Sequence, residues 1–204
     1  AIAAIPPIYF RLPEHAIARY WNDISRAAPE TDFILYNIPQ LAGVALTLPL
    51  LAEMLKNPRV VGVKNSSMPV QDIQQYRVAG GEGFAVFNGP DEQLAAGLAM
   101  GACGGIGGTY GVMPGLYVRI FDLMAQGKTA EALAVQDEAC RIIAALCGGK
   151  GSMYALIKET LRRKGVQCGG VRAPLAPLDA ADAKQADLCE KLVNEAEQKY
   201  LAGI

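Results

Sequence analysis

Hydrophobic runs alternate with amphipathic stretches along the first half of the chain. Short apolar runs predict five strands, at residues 1–9, 33–38, 60–64, 84–87 and 103–108. Apolar positions that recur every three or four residues predict helices between them, at residues 13–28, 49–56, 70–78 and 91–100. Strands that are apolar on both faces and are each followed by a helix are typical of a parallel sheet. We therefore expect an α/β fold.

The second half of the chain has a different pattern. Helical periodicity continues without intervening strands, at residues 115–126, 129–147, 152–164 and 180–201. Thr129 is expected to cap the second of these helices, with Glu131 in its first turn. Residues 166–179 contain prolines and a glycine pair and predict a surface linker. The predicted domains are a βα body over residues 1–127 and a helical extension packed on it over residues 128–204.

The number of strands predicts an incomplete barrel. A closed parallel (β/α)8 or TIM barrel has eight strands and runs to roughly 250 residues, whereas five strands are predicted here. The chain also starts inside a strand without a methionine. We expect three βα units to be missing on the amino-terminal side. An open, doubly wound sheet is the alternative, although no phosphate-binding glycine fingerprint follows the first strand.

The composition is that of a globular protein, with 51% hydrophobic residues, 19% charged residues and a formal net charge of -1. A charge this close to neutral gives no electrostatic basis for binding nucleic acid or an anionic membrane. No apolar run reaches the roughly 18 residues that a membrane span needs. Five irregularly spaced cysteines and a single histidine, His15, argue against a zinc site or a disulfide framework. We expect a cytoplasmic protein with free thiols.

Barrel enzymes carry their chemistry at the carboxyl ends of the strands, and a lysine and a tyrosine stand at two of these ends. Lys64 ends the third predicted strand. Desolvation there disfavours the charged ammonium, and a neutral amine can attack a ketone to form a Schiff base. Tyr36 ends the second strand and could act as the acid and base beside it. The alternatives are a lysine that reaches into solvent at the rim and a tyrosine that fills the core.

Further candidate site residues lie at the ends of other predicted strands. Tyr9 ends the first predicted strand, and Gly89, Asp91 and Glu92 follow the fourth. The two carboxylates can accept hydrogen bonds from sugar hydroxyl groups. They can equally form the acidic first turn of the next helix, where they favour its macrodipole, and one role does not exclude the other.

Four motifs in order along the chain point to a known family. They are Tyr-Asn-Ile-Pro at 36–39, Gly-Val-Lys-Asn-Ser-Ser at 62–67, Asn-Gly-Pro-Asp-Glu at 88–92 and Gly-Gly-Ile-Gly-Gly-Thr-Tyr at 104–110. Together they resemble the N-acetylneuraminate lyase and dihydrodipicolinate synthase superfamily over essentially the whole chain. The resemblance implies a class I aldolase that holds pyruvate as a Schiff base on Lys64 and handles protons through Tyr36. It also implies a homotetramer in which Tyr9 reaches a neighbouring subunit's active site, with no metal and no organic cofactor.

The lyase branch of this superfamily is more similar than the synthase branch. Dihydrodipicolinate synthases generally carry a carboxylate-binding arginine where this chain has Leu41, and leucine cannot make a bidentate contact to a carboxylate. The expected reaction is therefore reversible cleavage of N-acetylneuraminate, or a related 2-keto-3-deoxy sugar acid, to pyruvate and an aldehyde. Ser66, Asp91 and Glu92 would orient the polyol tail.

Two glycines depart from the lyase pattern. Similar lyases have serine where Gly108 stands and asparagine where Gly111 stands. Loss of the serine is expected to remove a polar contact and to enlarge the pocket, while the backbone from Ile106 to Gly108 lines the pyruvate end. The rival interpretations are a dihydrodipicolinate synthase-like condensing enzyme and a keto-acid-binding protein without turnover.

The family also holds the pyruvate carboxylate with a Gly-x-x-Gly-Glu loop on an early strand. Nothing in this chain matches that loop. We therefore expect these 204 residues alone to be inactive, and their unpaired sheet edges to weaken the fold.

Overall fold

The computed structural model describes residues 1–202. Its centre is a sheet of five parallel strands that lie in chain order. These strands are β1 (Ile2–Ala4), β2 (Phe33–Asn37), β3 (Val60–Asn65), β4 (Ala85–Asn88) and β5 (Gly104–Gly105). Every neighbouring pair is parallel. The parallel α/β fold expected from the sequence is confirmed.

Helices connect the strands and then continue alone. Those that follow strands β1 to β4 are α1 (Glu14–Ala27), α2 (Pro39–Ala42), α3 (Leu48–Met54), α4 (Gln71–Gly80) and α5 (Leu94–Ala99). The later helices are α6 (Pro114–Ala125), α7 (Thr129–Leu146), α8 (Met153–Arg163) and α9 (Ala183–Leu201). Short 3-10 helices span Asp91–Gln93, Gly108–Gly111 and Ala180–Asp182. The expected all-helical character of residues 128–202 is confirmed.

The chain forms two compact units, Ala1–Ile106 and the residues from Gly107 onward. The first contains the whole sheet and helices α1 to α5, and the second contains helices α6 to α9. The domain boundary expected after residue 127 stays a prediction.

The core of the first unit lies between the strands and the helices that cover them. Phe33, Leu35 and Val63 are fully buried, and Trp21 of α1 is buried against them in the same cluster. The Trp21 indole nitrogen donates a hydrogen bond of 3.0 Å to the carbonyl oxygen of Ala4, which fixes α1 on β1. Burial of side chains of this size stabilises the fold by about 1.5–3 kcal/mol each.

In the second unit a buried carboxylate joins two helix starts. Asp182 is 2% exposed, and its carboxylate accepts hydrogen bonds from the backbone N–H groups of Asp179, Lys150 and Gly151. These donors, with Asp179 first, hold the pKa of Asp182 below its usual value. The side chain therefore ties the loop before α8 to the start of α9.

Two strands are shorter than the sequence indicated. Strand β1 ends at Ala4 rather than at residue 9, because Pro6 and Pro7 have no N–H group to extend the ladder. Strand β5 contains only Gly104 and Gly105 rather than residues 103–108, because a run of glycines offers no side chains to pack on either face.

Other differences between the predicted and the observed elements lie at the starts of helices. Residues 91–100 form a 3-10 turn and a short α5 rather than one helix, and residues 180–201 divide in the same way before α9. The expected cap at Thr129 is wrong: Thr129 is the first helical residue. The carbonyl of Lys128 accepts the first helical hydrogen bond, from Ala132 at 3.0 Å, so Lys128 occupies the cap position. The surface linker is confirmed, since residues 166–179 are exposed except at 171 and 178.

No helix within residues 1–202 is both long and apolar enough to cross a membrane. Over the same residues, no three His, Cys, Asp or Glu side chains come together in a way that could hold a metal ion. The five cysteines are free thiols.

Candidate active site

The lysine and the tyrosine expected at strand ends lie side by side. Tyr36 of β2 and Lys64 of β3 are direct partners in the parallel ladder. Paired residues on neighbouring strands point to the same face, and the Lys64 ammonium nitrogen lies 3.8 Å from the centroid of the Tyr36 ring. Phe87 of β4 is the partner of Lys64 on its other side. Lys64 is therefore the middle residue of a row across three strands, with an aromatic residue on each side.

The backbone of three expected substrate-binding residues is held by a repeated hydrogen bond. In each case the N–H group just beyond a strand donates to the carbonyl of an asparagine at the end of the preceding strand. The bonds run from Ser66 to Asn37 (2.8 Å), from Gly89 to Asn65 (2.7 Å) and from Ile106 to Asn88 (2.9 Å). The parallel ladder is thus extended by one step at each strand end.

Gly89 is required by the close approach of its neighbours. A Cβ atom at this position would lie 2.0 Å from the Ser66 hydroxyl oxygen and 2.7 Å from the carbonyl oxygen of Asn65. The second contact is with backbone, which cannot swing away. The absence of a side chain at Gly89 therefore lets Ser66 and the end of β4 lie against each other.

The two carboxylates that follow β4 have different surroundings. Asp91 is buried, at 8% exposure, whereas Glu92 is exposed. Both lie in the 3-10 turn Asp91–Gln93 that leads into α5. Of the two side chains, Glu92 is the one that reaches solvent directly.

The glycine at position 108 does not leave an open space. The Tyr154 hydroxyl oxygen lies 3.1 Å from the point where a Cβ atom of residue 108 would be, and carbon atoms of the ring lie 3.4 Å and 3.6 Å from it. The phenol of Tyr154 therefore borders the place of the missing side chain, and the expectation that Gly108 enlarges the pocket stays a prediction. Nothing lies within 4 Å of a Cβ atom placed at Gly111.

Tyr9 lies in an exposed aromatic turn rather than at the end of a strand. Its side chain is 91% exposed, and its backbone has φ of 93°, a conformation that side-chain-bearing residues rarely adopt. The ring contacts Phe10 edge to face, with the centroids 4.8 Å apart. The sequence prediction that Tyr9 ends the first strand is wrong. Its predicted reach into a neighbouring subunit stays a prediction.

Three buried asparagines were not identified from the sequence as part of the site. Asn37, Asn65 and Asn88 are the last residues of β2, β3 and β4, and none is more than 1% exposed. Asparagine is depleted in strands, and buried amides need hydrogen-bond partners. Their recurrence at three successive strand ends is the sequence signal that could have revealed them.

Asn37 and Asn65 bond to each other through their side chains. The Asn37 amide nitrogen donates to the Asn65 amide oxygen at 2.8 Å and to the Tyr76 hydroxyl at 3.2 Å. Tyr76 in turn donates to the carbonyl of Leu46 at 2.7 Å. Burial, and then the nearby negative charge of Asp72, raises the pKa of Tyr76. The Tyr76 phenol is therefore a neutral, fixed donor.

The fold and the site define a parallel α/β protein with a lysine–tyrosine pair at the carboxyl edge of its sheet. A sequence profile of the dihydrodipicolinate synthetase family matches residues 1–194. The chain belongs to this family.

Individual relatives are similar over nearly all of the chain. An N-acetylneuraminate lyase of Mediterraneibacter gnavus is 54% identical over 202 residues, which are 98% of this chain and 64% of that protein. A solved structure of Ruminococcus gnavus sialic acid aldolase, a catalytic lysine mutant, is 53% identical with a TM-score of 0.96, covering 98% of this chain and 66% of that one. CdNal from Clostridium difficile, solved in complex with mannosamine, is 29% identical with a TM-score of 0.83 over 98% of this chain and 65% of that one. The chain thus spans less than two thirds of the length of these relatives.

Proposed function

We propose that the complete protein is a Schiff-base-forming lyase with a (β/α)8 barrel. It reversibly cleaves N-acetylneuraminate or a related 2-keto-3-deoxy sugar acid to pyruvate and an aldehyde. The observation that carries this proposal is the position of the Lys64 amine, 3.8 Å from the centroid of the Tyr36 ring, at the carboxyl ends of two paired strands. The described sheet supplies five parallel strands of the barrel. The similarity to lyases over 98% of the chain supports the reaction.

Lys64 forms the covalent intermediate in this proposal. Once deprotonated, its amine attacks the keto carbon C2 of the sugar acid, and the resulting hydroxyl group takes up a proton from solvent and leaves as water, which gives an iminium ion. Lys64 is half-buried, and its ladder partners are Tyr36 on one side and Phe87 on the other. The name of the similar Ruminococcus gnavus structure, a catalytic lysine mutant, agrees with a lysine at the centre of the reaction.

Tyr36 moves the proton that carbon–carbon cleavage requires. As the C3–C4 bond breaks, its electron pair enters the iminium and produces an enamine, while the C4 hydroxyl proton passes to the deprotonated phenol of Tyr36. The aldehyde leaves, the Tyr36 phenol passes its proton to C3 of the enamine, and water then hydrolyses the iminium to release pyruvate and the free amine of Lys64. In the reverse direction the same phenol returns the proton to the new hydroxyl group.

The residues beyond the strand ends would bind the rest of the substrate. Ser66 offers a hydroxyl and Glu92 an exposed carboxylate to the polyol tail, and Asp91, which is buried in the same 3-10 turn as Glu92, would orient the tail with them. Gly89 keeps that edge closely packed, and the backbone from Ile106 to Gly108 would line the pyruvate end. Leu41 is 70% exposed and cannot bind a second carboxylate as arginine would. This favours a sugar acid over aspartate semialdehyde as the reaction partner.

The aromatic turn after β1 supports assembly into a homotetramer. Ile8, Tyr9 and Phe10 are 60%, 91% and 68% exposed, and adjacent large apolar side chains of this kind are typical of contact surfaces. In the proposed tetramer, Tyr9 reaches the active site of a neighbouring subunit. We propose a cytoplasmic location for the enzyme.

Borohydride trapping tests the proposal in the complete protein. Incubation with pyruvate and sodium borohydride should add mass to the peptide that contains Lys64, and Lys64→Arg should abolish the adduct. Lys56→Arg is the matched control, because Lys56 is an exposed lysine that pairs with Glu53. An adduct without aldehyde release from N-acetylneuraminate would indicate a keto-acid-binding protein, and condensation with aspartate semialdehyde would indicate a synthase. The absence of any adduct from folded protein would refute the mechanism.

A further inference from the structure

The amide pair Asn37–Asn65 lies directly behind the Tyr36–Lys64 pair. Tyr36 is the ladder partner of Lys64, and Asn37 is the ladder partner of Asn65. Because successive side chains on a strand point to opposite faces, the two pairs occupy opposite faces of the same two strands. The amide–amide hydrogen bond therefore joins β2 and β3 one residue beyond the paired amine and phenol.

Asn65 is held on its other side by Ser67. The Asn65 amide nitrogen donates to the Ser67 hydroxyl at 2.9 Å, and that hydroxyl donates to the Asp72 carboxylate at 2.6 Å. The Asn65 amide oxygen accepts from Asn37 at 2.8 Å and from the Ser67 N–H group at 3.4 Å. Asn65 thus connects β3 both to β2 and to α4, where Asp72 lies.

The side chain of Asn37 is also held by hydrogen bonds at both its oxygen and its nitrogen. Its amide oxygen accepts the backbone N–H of Leu46 at 2.9 Å, and its amide nitrogen also donates to the Tyr76 hydroxyl. Neither amide of the pair can rotate without breaking bonds that are buried and cannot be replaced by water. The pair is therefore a rigid link between the two strand ends.

We propose that Asn37 and Asn65 are positioning residues that keep the Tyr36 phenol and the Lys64 amine in register for catalysis. This inference rests on the proposed function, because it assigns the amide pair a role in that reaction. Two buried asparagines are a poor means of stabilising a core, since buried amides gain little over apolar groups of the same shape. Fixing the relative position of two reacting groups does require such directional bonds, and a misplacement of 1 Å can cost a factor of about 100 in rate.

The test compares three variants of the complete protein. Asn65→Leu removes the amide bond at similar volume and should lower kcat by about 100-fold, with little change in KM because Asn65 lies on the face away from the substrate. Asn65→Asp keeps an oxygen that can accept from Asn37 and should restore part of the lost kcat. Asn57→Leu is the control. It breaks another asparagine pair, in which the Asn57 amide nitrogen donates to the Asn22 amide oxygen at 2.8 Å. Asn57 precedes the amino-terminal end of β3, which is the end away from Lys64.

The outcomes separate the positioning role from general stability. The inference is supported if Asn65→Leu loses kcat while Asn57→Leu, at an equal or greater loss of stability, keeps it. Unchanged kcat in folded Asn65→Leu would overturn the inference while borohydride trapping in the parent protein still upheld the lyase. Failure to trap pyruvate in the parent protein would overturn both. If Asn65→Leu does not fold, Ser67→Ala takes its place, and an unchanged kcat in that variant likewise refutes the role.

Discussion

The Lys64 ammonium nitrogen lies 3.8 Å from the centroid of the Tyr36 ring, a contact that follows from the pairing of these two residues in β2 and β3. A cation over the face of an aromatic ring is favourable by about 0.5–2 kcal/mol, depending on desolvation. The resting amine is therefore held by the ring of Tyr36, while the reaction that we propose uses its hydroxyl group. These two roles of one side chain can be separated by experiment.

Tyr36→Phe keeps the ring beside Lys64 and removes only the hydroxyl group. We expect the variant still to form the pyruvate adduct, because the amine keeps its surroundings. Cleavage of the sugar acid should fall by about 10²–10⁴-fold, the usual contribution of a positioned acid–base group. Borohydride trapping and steady-state turnover on the same preparation measure the two quantities.

Tyr20→Phe is the control for this prediction, since Tyr20 is a partly exposed tyrosine of α1, at 37% exposure. It should keep both the adduct and the turnover. Tyr36→Phe with turnover equal to that of Tyr20→Phe would show that another group carries the proton.

Gly89→Ala should weaken the site by overpacking. The added methyl group would lie 2.0 Å from the Ser66 hydroxyl oxygen and 2.7 Å from the Asn65 carbonyl oxygen, so the end of β4 must shift. Overpacking of this kind costs about 1–3 kcal/mol of unfolding free energy, measurable from urea unfolding midpoints. Gly170→Ala is the control, because nothing lies within 4 Å of a Cβ atom there. Equal midpoints for the two variants would contradict the packing argument.

Much of the strand-end arrangement could be predicted because its signals are local. Lys64 and Tyr36 each stand at the end of an apolar run, and parallel strands bring such ends to one edge. Their proximity is borne out, whereas their catalytic roles remain proposals. The length of strand β5 is overpredicted from the sequence, because the run at 103–108 contains few side chains that could pack on a sheet.

The amide pair could not be predicted in the same way. Asn37 and Asn65 are 28 residues apart, and no local pattern shows that their two amides bond to each other rather than to other polar groups. Tyr154 of the later helix α8 lies beside Gly108, and the motif around Gly108 gives no sign of this contact. Contacts between distant segments are set by packing rather than by periodicity.

Glu159 should make the helical unit sensitive to acid. Its carboxylate accepts hydrogen bonds from Arg162 at 2.7 Å and from Arg163 at 2.8 Å, and these contacts lower the pKa of Glu159 to about 2 from 4.5. A depressed pKa in the folded state contributes stability above the unfolded value, which is lost as the pH falls from about 4.5 towards 2. Glu159→Gln should therefore be less stable than the parent protein near neutral pH, and this difference should shrink across that window.

Thermal unfolding midpoints between pH 7 and pH 2.5 measure this effect. Glu82→Gln, which neutralises an exposed carboxylate in the turn before β4, is the control and should follow the parent protein at every pH. A constant difference between Glu159→Gln and the parent protein at all pH values would rule out the linkage to this carboxylate.

Gly108→Ser tests whether Tyr154 occupies the space of the missing side chain. The new Cβ atom would meet the Tyr154 hydroxyl oxygen at 3.1 Å and a ring carbon at 3.4 Å. Tyr154 is 46% exposed and can turn outward, so we expect a loss near the lower end of the overpacking range, about 1 kcal/mol of unfolding free energy. In a Tyr154→Ala background the same substitution should cost nothing.

Four proteins form the cycle: the parent, the two single variants and the double variant, each unfolded in urea. Residues in contact typically show interaction free energies of about 0.5–3 kcal/mol in such cycles. Gly111→Ser is the matched control in the same 3-10 turn, because nothing lies within 4 Å of a Cβ atom at Gly111. Its cost should be the same with and without Tyr154. If the losses of unfolding free energy for Gly108→Ser and Tyr154→Ala are additive, the Tyr154 side chain moves aside without cost, and a serine at position 108 is compatible with Tyr154.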